Sequence, residues 1–409
     1  MLLATPYPGL EIHREDKLVY GRFLTPHAVL STSRSQGGYR EDLKCLCNHQ
    51  SCEAAGSHDR GSLAITDPDA YQAQVLKAHS LPPANSALLG TAANMRLLTI
   101  KVESFAELTV AAAVTGGVET NAARAGDPAM GHEGPNGYES LYPPKINPGP
   151  TPNPNPNPNP NPNPNPNHGT INILVFVSRP LTPGALVRGI SLITEAKTCA
   201  LMELGVNSRY SAKLASGTGT DQVGLAAALI PGVKPLAGGG HHLKIGELMG
   251  RVTHDAVREV LIRQNGMTPD RQCSVKIHLE RFHKTPEGRH RLSSKELVDR
   301  IARFLAPTEV ELLGHNYLAF FHDPWVVAAT AALTHLKDKF SWGILPILIW
   351  PEVMGAFAGQ LAAAVSGRVD LAASYAQALT TVPKDAESDA AFLDLAAQAL
   401  ALGLKDKWA

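Results

Sequence analysis

The stretch Gly169-Thr-Ile-Asn-Ile-Leu-Val-Phe-Val177 decides the fold class of this 409-residue chain. Its apolar, β-branched run predicts a buried strand. A helix is predicted directly afterwards, over Pro183–Leu204, where Thr182 can cap it and Pro183 suits its first turn. A second helix is predicted over Ile245–Arg263, with Gly266 as a stop signal. A buried strand followed by a long helix is typical of a mixed α/β domain.

Further strands are predicted on the amino-terminal side of this stretch. They cover Val29–Thr32, Leu97–Val102 and Leu108–Val114. Strands that alternate with helices indicate an α/β or α+β fold, with a mixed sheet and packed helices. We therefore predict an amino-terminal domain over residues 1–267.

The second half of the chain has a different character. A capping box from Ser293 to Glu296 precedes an apolar stripe, and helical patterns follow near 325–338, 350–365, 367–379 and 387–404. We predict that residues 268–409 form a mostly helical extension. The Asn-Pro repeat at 151–167 cannot form a sheet ladder, so residues 131–168 are predicted to be a long loop inserted in the first domain.

Composition excludes several classes of protein. Lys plus Arg and Asp plus Glu both number 37, and aromatic residues make up 6%, so neither a basic surface nor a base-stacking platform for nucleic acid is predicted. Prolines and Glu352 interrupt the apolar stretch Gly343–Val365, which favours buried helices over stable membrane insertion. We read no signal peptide, and five cysteines without a regular framework favour a reducing, cytoplasmic location.

The first polar motif is Thr115-Gly-Gly-Val-Glu-Thr-Asn-Ala-Ala-Arg-Ala-Gly-Asp127, at the end of a predicted strand. Gly116 and Gly117 permit close approach of a ligand to the backbone. Asn121 offers both a donor and an acceptor, and Arg124 offers a cation that Asp127 could orient. A glycine turn with a solvated salt bridge is the simpler interpretation.

The second motif, Ser216-Gly-Thr-Gly-Thr-Asp221, predicts a nest of backbone N–H groups at Gly217, Thr218 and Thr220 that suits an oxyanion. The alternative is a turn into a helix-like run over Val223–Leu229, with Asp221 as its cap. Lys197 falls on the apolar stripe of the helix Pro183–Leu204, where an ammonium needs a partner. It could bind a substrate anion or hold Asp221, or it could extend to solvent at the domain edge.

The third motif is Gly238-Gly-Gly-His-His-Leu-Lys-Ile-Gly-Glu247. His242 lies in a glycine-rich loop just before a helix, and histidine titrates in the range that general acid–base catalysis needs. A structural histidine is the simpler alternative.

A cysteine-rich segment, Cys45-Leu-Cys-Asn-His-Gln-Ser-Cys52, contains three cysteines and His49. The spacing lacks the paired C-x-x-C pattern of zinc sites, so we assign no metal and treat the segment as a reduced turn. The question whether these residues bind metal stays open.

Read in order, these motifs resemble the adenosylcobinamide amidohydrolase family. The resemblance rests on seven motifs between residues 20 and 265, namely Ser31-Thr-Ser with Gly37-Gly38, Asn48-His49, Thr115–Asp127, Gly169-Thr-Ile-Asn-Ile, Glu195-Ala-Lys197, Gly217–Asp221 and Gly240–Gly250. It implies cleavage of the amide that joins aminopropanol to the corrin ring, giving adenosylcobyric acid. It also implies a small-molecule corrinoid partner that brings its own cobalt, and no protein-bound cofactor.

Two mechanisms are compatible with the motifs. In the first, His242, oriented by Asp221, activates water, while the Gly217–Thr220 loop and Asn121 stabilise the oxyanion. Arg124, Lys197, His49 and the glycine pair Gly116–Gly117 would then bind substrate. In the second, Thr170 is the nucleophile, and a cut before it would free an amine to act as base. A corrinoid-binding module without catalysis and an amidase of unrelated specificity are the alternative functions.

Overall fold

The computed structural model describes residues 1–51, 63–135, 137–141, 169–382 and 388–409. The chain divides into two compact units, of which the first comprises Met1–Lys197 with Gly217–Val260 and the second comprises Thr198–Ser216 with Leu261–Ala409. The Asn-Pro repeat and Cys52 lie outside the described residues. The part of the predicted 131–168 loop that is described forms a short hairpin rather than a loop, because Gly131–Gly134 pairs with Gly137–Ser140.

The strands of the first unit form two main sheets of mixed direction, which confirms the predicted fold class. In chain order the strands are β1 (Leu2–Tyr7), β2 (Leu10–Glu15), β3 (Leu18–Phe23), β4 (His27–Ser31), β5 (Gly38–Arg40), β6 (Cys45–Gln50), β7 (Ser86–Thr91), β8 (Thr99–Phe105), β9 (Leu108–Thr115), β10 (Ala122–Ala123), β11 (Gly131–Gly134), β12 (Gly137–Ser140), β13 (Asn172–Val177), β14 (Gly217–Thr218) and β15 (Gln222–Ala228).

The two sheets pack face to face. The first has the order β1-β2-β3-β6-β7, and the second has the order β5-β4-β15-β13-β9-β8. Leu10, Leu46, Leu174, Phe176 and Ala226 belong to one buried cluster that draws on both sheets. In the strands of the second sheet, the side chains between these residues point to the opposite face of the sheet. This is the period of two that is expected for strands buried on both faces.

Helices of the first unit pack on these sheets, and further helices form the second unit. In chain order the helices are α1 (Leu63–Thr66), α2 (Pro68–Ala78), α3 (Pro183–Glu203), α4 (Lys244–Asn265), α5 (Pro269–Gln272), α6 (Val275–Glu280), α7 (Ser294–Ala302), α8 (Pro307–Phe321), α9 (Pro324–Ser341), α10 (Trp350–Ser366), α11 (Ala372–Ala378) and α12 (Asp389–Trp408). Val75 and Leu76 of α2 pack on the first sheet. Gly189 of α3 lies so close to Leu225 of β15 that an added Cβ would come within 2.6 Å of it.

The second unit is helical, as predicted for most of residues 268–409. Trp350, Phe321 and Phe392 are fully buried in its main apolar cluster. Ser293 and Glu296 form the predicted capping box at α7. By length and composition, Ile347–Ser366 could cross a membrane, but 44% of its apolar window is buried inside this unit. Helices in the cores of soluble proteins share that property.

One helical interpretation was wrong. The run Val223–Leu229 is the strand β15 and not a helix, because its small and β-branched residues pair with both β13 and β4. The helix predicted near 367–379 is present as α11, which begins only at Ala372 because Gly367 ends α10 with a positive φ of 77°. No strand or helix was predicted at β1–β3, β6, β7 or α2.

A candidate active site at one edge of the second sheet

The first two polar motifs and the segment before β13 meet because three neighbouring strands begin or end at the same edge. β13 runs parallel to β15 and antiparallel to β9, so Asn172 lies opposite both Gln222 and Thr115. The residues that precede β13 and β15 therefore lie beside the residues that follow β9. Thr170, Asp221 and the Gly116–Gly117 pair come together in this way.

A buried ion pair lies at the centre of this edge. Lys197 Nζ donates to Asp221 Oδ2 at 2.5 Å, and the two side chains are only 8% and 9% exposed. The main-chain N–H of Thr218 donates to the same oxygen, while Thr218 Oγ1 and the N–H of Ile171 donate to Oδ1. Of the alternatives for Lys197, the structure shows the one in which it holds Asp221.

Gly217 is required by this pair. A Cβ added there would lie 2.5 Å from Asp221 Oδ2 and 2.7 Å from Lys197 Nζ, so any larger residue would separate the two charges. β14, which contains Gly217, pairs with β10 beside Asn121. The strand pairing thus brings the second motif against the first.

Thr170 forms a second cluster with Thr220 and Asn121. The Thr170 hydroxyl lies 2.5 Å from Thr220 Oγ1. The carbonyl oxygen of Gly169 accepts hydrogen bonds from Asn121 Nδ2 at 3.0 Å and from Thr220 Oγ1 at 3.1 Å. A buried hydroxyl therefore stands beside two side-chain donors that point at one carbonyl oxygen, which is the arrangement that stabilises an oxyanion.

Two buried asparagines, which the sequence analysis did not assign to the site, lie beneath this cluster. Asn172 Nδ2 donates to Asn48 Oδ1 at 2.8 Å and to the carbonyl oxygen of Gly90 at 3.0 Å. Asn48 Nδ2 in turn donates to Thr115 Oγ1 at 2.8 Å. Asn172 interrupts an otherwise apolar strand, and that interruption was the available signal. The network joins the two sheets directly below Thr170.

A cavity of about 550 Å³ opens over the cluster and lies wholly within the first unit. Its volume is in the range of small-molecule binding sites. Its walls combine a charged group with hydroxyls and backbone, and are formed by Thr32, Arg34, Ser35, Ser51, Ala64, Pro68, Tyr71, Gln72, Leu88, Gly90, Thr91, Ala92, Thr170, Gly219, Thr220, Asp221 and Gln222.

His242 does not lie in this cavity wall. Its side chain is exposed in the loop before α4, and both oxygens of Asp221 accept from the groups named above. The predicted orientation of His242 by Asp221 was therefore wrong, because Lys197, Thr218 and Ile171 take the positions that an imidazole would need. The neighbouring His241 pairs with Glu195 at 2.7 Å.

The other residues of the first motif surround the cluster without lining the cavity. Gly117 N donates to the carbonyl oxygen of Thr170 at 3.2 Å, so Gly117 makes a backbone contact here, and substrate binding by the glycine pair stays a prediction. Asp127 accepts from the main-chain N–H of Arg124 at 2.7 Å. A substrate-binding role for Arg124 stays a prediction.

His49 lies next to the cavity rather than in its wall. Its Nδ1 is 2.6 Å from the hydroxyl of Tyr71, which lines the cavity. Burial, together with the nearby His79 and Lys17, lowers the pKa of His49 to about 4. The ring is therefore neutral near pH 7, and its contact with Tyr71 can orient that side chain without adding charge.

The neutral state of His49 predicts a pH-dependent stability. Unfolding returns the ring to its ordinary pKa of about 6.5, so below that pH the unfolded chain binds a proton that the folded chain does not. The contribution of His49 to the free energy of unfolding is therefore complete above pH 6.5 and is lost as the pH falls toward 4. Between pH 7.5 and 4.5 the wild type should lose on the order of 1–3 kcal/mol of its free energy of unfolding through this ring. We expect the His49→Gln variant not to show this loss. Urea unfolding at the two pH values measures it. Tyr71→Phe is the control, because it keeps the burial that causes most of the shift.

The part of the cysteine segment from Cys45 to Gln50 forms the strand β6 and not a turn. Cys45 and Cys47 are buried on one face of β6, packed against α2. A hydrogen bond from Cys47 lowers the pKa of the Cys45 thiol, while burial raises that of Cys47. Among the described residues, no group of three His, Cys, Asp or Glu side chains could hold a metal ion.

Comparison of the sequence with known proteins identifies the family of this chain. The sequence profile of the adenosylcobinamide amidohydrolase family matches residues 3–269, so the chain belongs to this family of hydrolases that act on a corrinoid. An uncharacterized protein of Methanocaldococcus jannaschii is 35% identical over 197 residues, which cover 48% of this chain and 70% of that protein. The profile match contains all of the site residues described above.

Proposed function

We propose that this chain hydrolyses the amide between aminopropanol and the corrin ring of adenosylcobinamide, releasing adenosylcobyric acid and aminopropanol. The observation that carries the proposal is the buried Thr170 hydroxyl at a cavity wall, beside two donors aimed at a carbonyl oxygen. Family membership supports the substrate class. Cobalt enters with the substrate, and no step requires a metal held by the protein.

Thr170 is the proposed nucleophile. Its oxygen attacks the carbonyl carbon of the substrate amide, and the developing charge on the carbonyl oxygen is stabilised by Asn121 Nδ2 and Thr220 Oγ1. The proton from the hydroxyl reaches the leaving nitrogen, so aminopropanol departs as a neutral amine. An ester between Thr170 and cobyric acid remains, and water cleaves it to regenerate the hydroxyl.

The buried ion pair has a positioning role in this scheme. Asp221 accepts from the N–H of Ile171, and Lys197 holds Asp221 in place. The backbone on the carboxyl side of Thr170 is thereby fixed. Precise placement of a nucleophile contributes several kcal/mol to catalysis, since it removes the entropy of finding the reactive geometry.

Incubation of the purified protein with adenosylcobinamide tests the proposal. We expect adenosylcobyric acid and aminopropanol in equal amounts, both measured by liquid chromatography with mass detection. Binding without aminopropanol release would identify a corrinoid-binding module instead. Equal turnover of simple acyl amides in competition would identify an amidase of unrelated specificity. Cobinamide phosphate in a parallel reaction shows which form of the arm is accepted.

The exposure of His242 gives a prediction that separates the two mechanisms. We expect His242→Ala to keep turnover within about threefold of the wild type, because the ring touches neither Asp221 nor the cavity wall. His241→Ala is the matched control on the same loop, and initial rates at saturating substrate are the measurement. A loss of 10²-fold or more, the usual effect of removing a general base, would restore the water-activating scheme.

A further inference from the structure

We propose that the chain cleaves its own peptide bond between Gly169 and Thr170, which makes Thr170 the amino-terminal residue of a second chain. The new α-amine then becomes the base of the active site. Cleavage needs no substrate, and only the later role of the amine rests on the proposed function.

The first support is the way in which the Gly169 carbonyl is held. Asn121 Nδ2 and Thr220 Oγ1 both donate to its oxygen, and the hydroxyl of the next residue hydrogen-bonds to Thr220. Two donors on the oxygen polarise the carbonyl, and the Thr170 hydroxyl is the group adjacent to the bond. These are the parts that attack on a peptide carbonyl requires.

The second support is the backbone on either side of the bond. A Cβ at position 169 would lie 2.6 Å from the carbonyl oxygen of Gly117, so only glycine fits there. On the other side, Gly117 N holds the carbonyl of Thr170, and Asp221 holds the N–H of Ile171. Thr170 therefore stays in place when the bond before it is broken.

The third support is the hydrogen-bond partner of the Thr170 hydroxyl in the uncut site. Within the described part of the chain, the Thr170 hydroxyl hydrogen-bonds to the hydroxyl of Thr220, which does not accept a proton at neutral pH. An α-amine has a pKa of about 7.7–8.0, which suits proton transfer at physiological pH. Cleavage would place such an amine on the same residue as the nucleophile.

Cleavage also frees the donors that a substrate needs. In the intact chain, the Gly169 oxygen occupies Asn121 Nδ2 and Thr220 Oγ1. Once Gly169 is released as a carboxylate and moves away, both donors can bind the carbonyl oxygen of an incoming amide. One set of groups then serves first the self-cleavage and afterwards the hydrolysis of substrate.

The chemistry consists of an acyl shift followed by hydrolysis. Thr170 Oγ1 attacks the carbonyl carbon of Gly169, and the C–N bond breaks as the Thr170 nitrogen takes the proton that the hydroxyl gave up. An ester then links Gly169 to the Thr170 oxygen. Water cleaves the ester, leaving a carboxyl group on Gly169 and a free amine and hydroxyl on Thr170. The sum of the two steps is the addition of one water.

Intact-mass measurement of the purified protein under denaturing conditions tests the proposal. We expect two chains, residues 1–169 and 170–409, whose masses sum to that of the whole chain plus one water. Sequencing of the second chain should begin Thr-Ile-Asn. Thr170→Ala should stay one chain and Thr170→Ser should be cut, with circular dichroism showing that both are folded. Added hydroxylamine should trap the ester as a hydroxamate on Gly169.

The outcomes separate self-cleavage from the proposed function. A single chain that nevertheless hydrolyses adenosylcobinamide overturns self-cleavage and leaves the function standing. Two chains that bind adenosylcobinamide but release no aminopropanol overturn the function and leave self-cleavage standing. Cutting of Thr170→Ala at the same bond identifies a contaminating protease and also overturns self-cleavage.

Discussion

Replacement of Thr170 by alanine is expected to lower the turnover of adenosylcobinamide by roughly 10³-fold or more, because it removes the atom that attacks the amide. Thr170→Ser should retain a measurable part of the activity, since it keeps a hydroxyl in the same position. Substrate should still bind to Thr170→Ala, because the cavity has many other wall residues. Steady-state rates and equilibrium binding of adenosylcobinamide measure the two effects separately.

The conservative variant Thr220→Val provides a graded comparison. It removes one of the two donors to the carbonyl oxygen and also the hydrogen-bond partner of Thr170. We expect a loss of about 10²–10³-fold in kcat, which is the usual effect of one oxyanion donor. If Thr170→Ala instead kept more activity than Thr220→Val, the nucleophile would have to be sought elsewhere.

Asp221→Ala is expected to give the largest loss of stability among single changes at the site, about 3–5 kcal/mol. It leaves the Lys197 ammonium buried without its carboxylate and removes the acceptor of three further hydrogen bonds. Lys197→Met should cost less, because Asp221 keeps the donors from Thr218 and Ile171. The order of the two variants is therefore the decisive result.

The positions of the tryptophans allow this effect to be assigned to one unit. All four, Trp325, Trp342, Trp350 and Trp408, belong to the second unit. Urea unfolding followed by circular dichroism reports on both units, while tryptophan fluorescence follows the second. We expect Asp221→Ala to shift the first-unit transition; a loss below about 1 kcal/mol would show that the ion pair contributes little net stability.

The sequence predicted the centre of the second sheet and its long helices well. β13, α3 and α4 have strong apolar periodicity and clear end signals, so their bounds came within a few residues of the observed ones. β15 was mistaken for a helix because its run of small residues fits either period. The decision between the two lies in long-range pairing with β13 and β4, which a local pattern does not contain.

The sequence predicted residues of the site but not which of them contact one another. Periodicity placed Lys197 on a buried face, and the structure supplied Asp221 as its partner. His242 was chosen for its titration range and its place in a glycine-rich loop before a helix, and no sequence feature showed that its side chain faces solvent. Thr170 and Thr220 come together only because β13 and β15 are parallel and in register, which the sequence could not specify.

The strand order of the second sheet has a consequence for the two pieces of a chain cut at residue 169. β13 and β15, from the later piece, lie side by side with β4 of the earlier piece on one flank and β9 on the other. Each piece thus completes the other's hydrogen-bond ladder in this sheet, whereas the five-stranded sheet β1-β2-β3-β6-β7 belongs wholly to the earlier piece. The halves would be interlaced so that they could separate only by unfolding, and under native conditions they would migrate as one molecule.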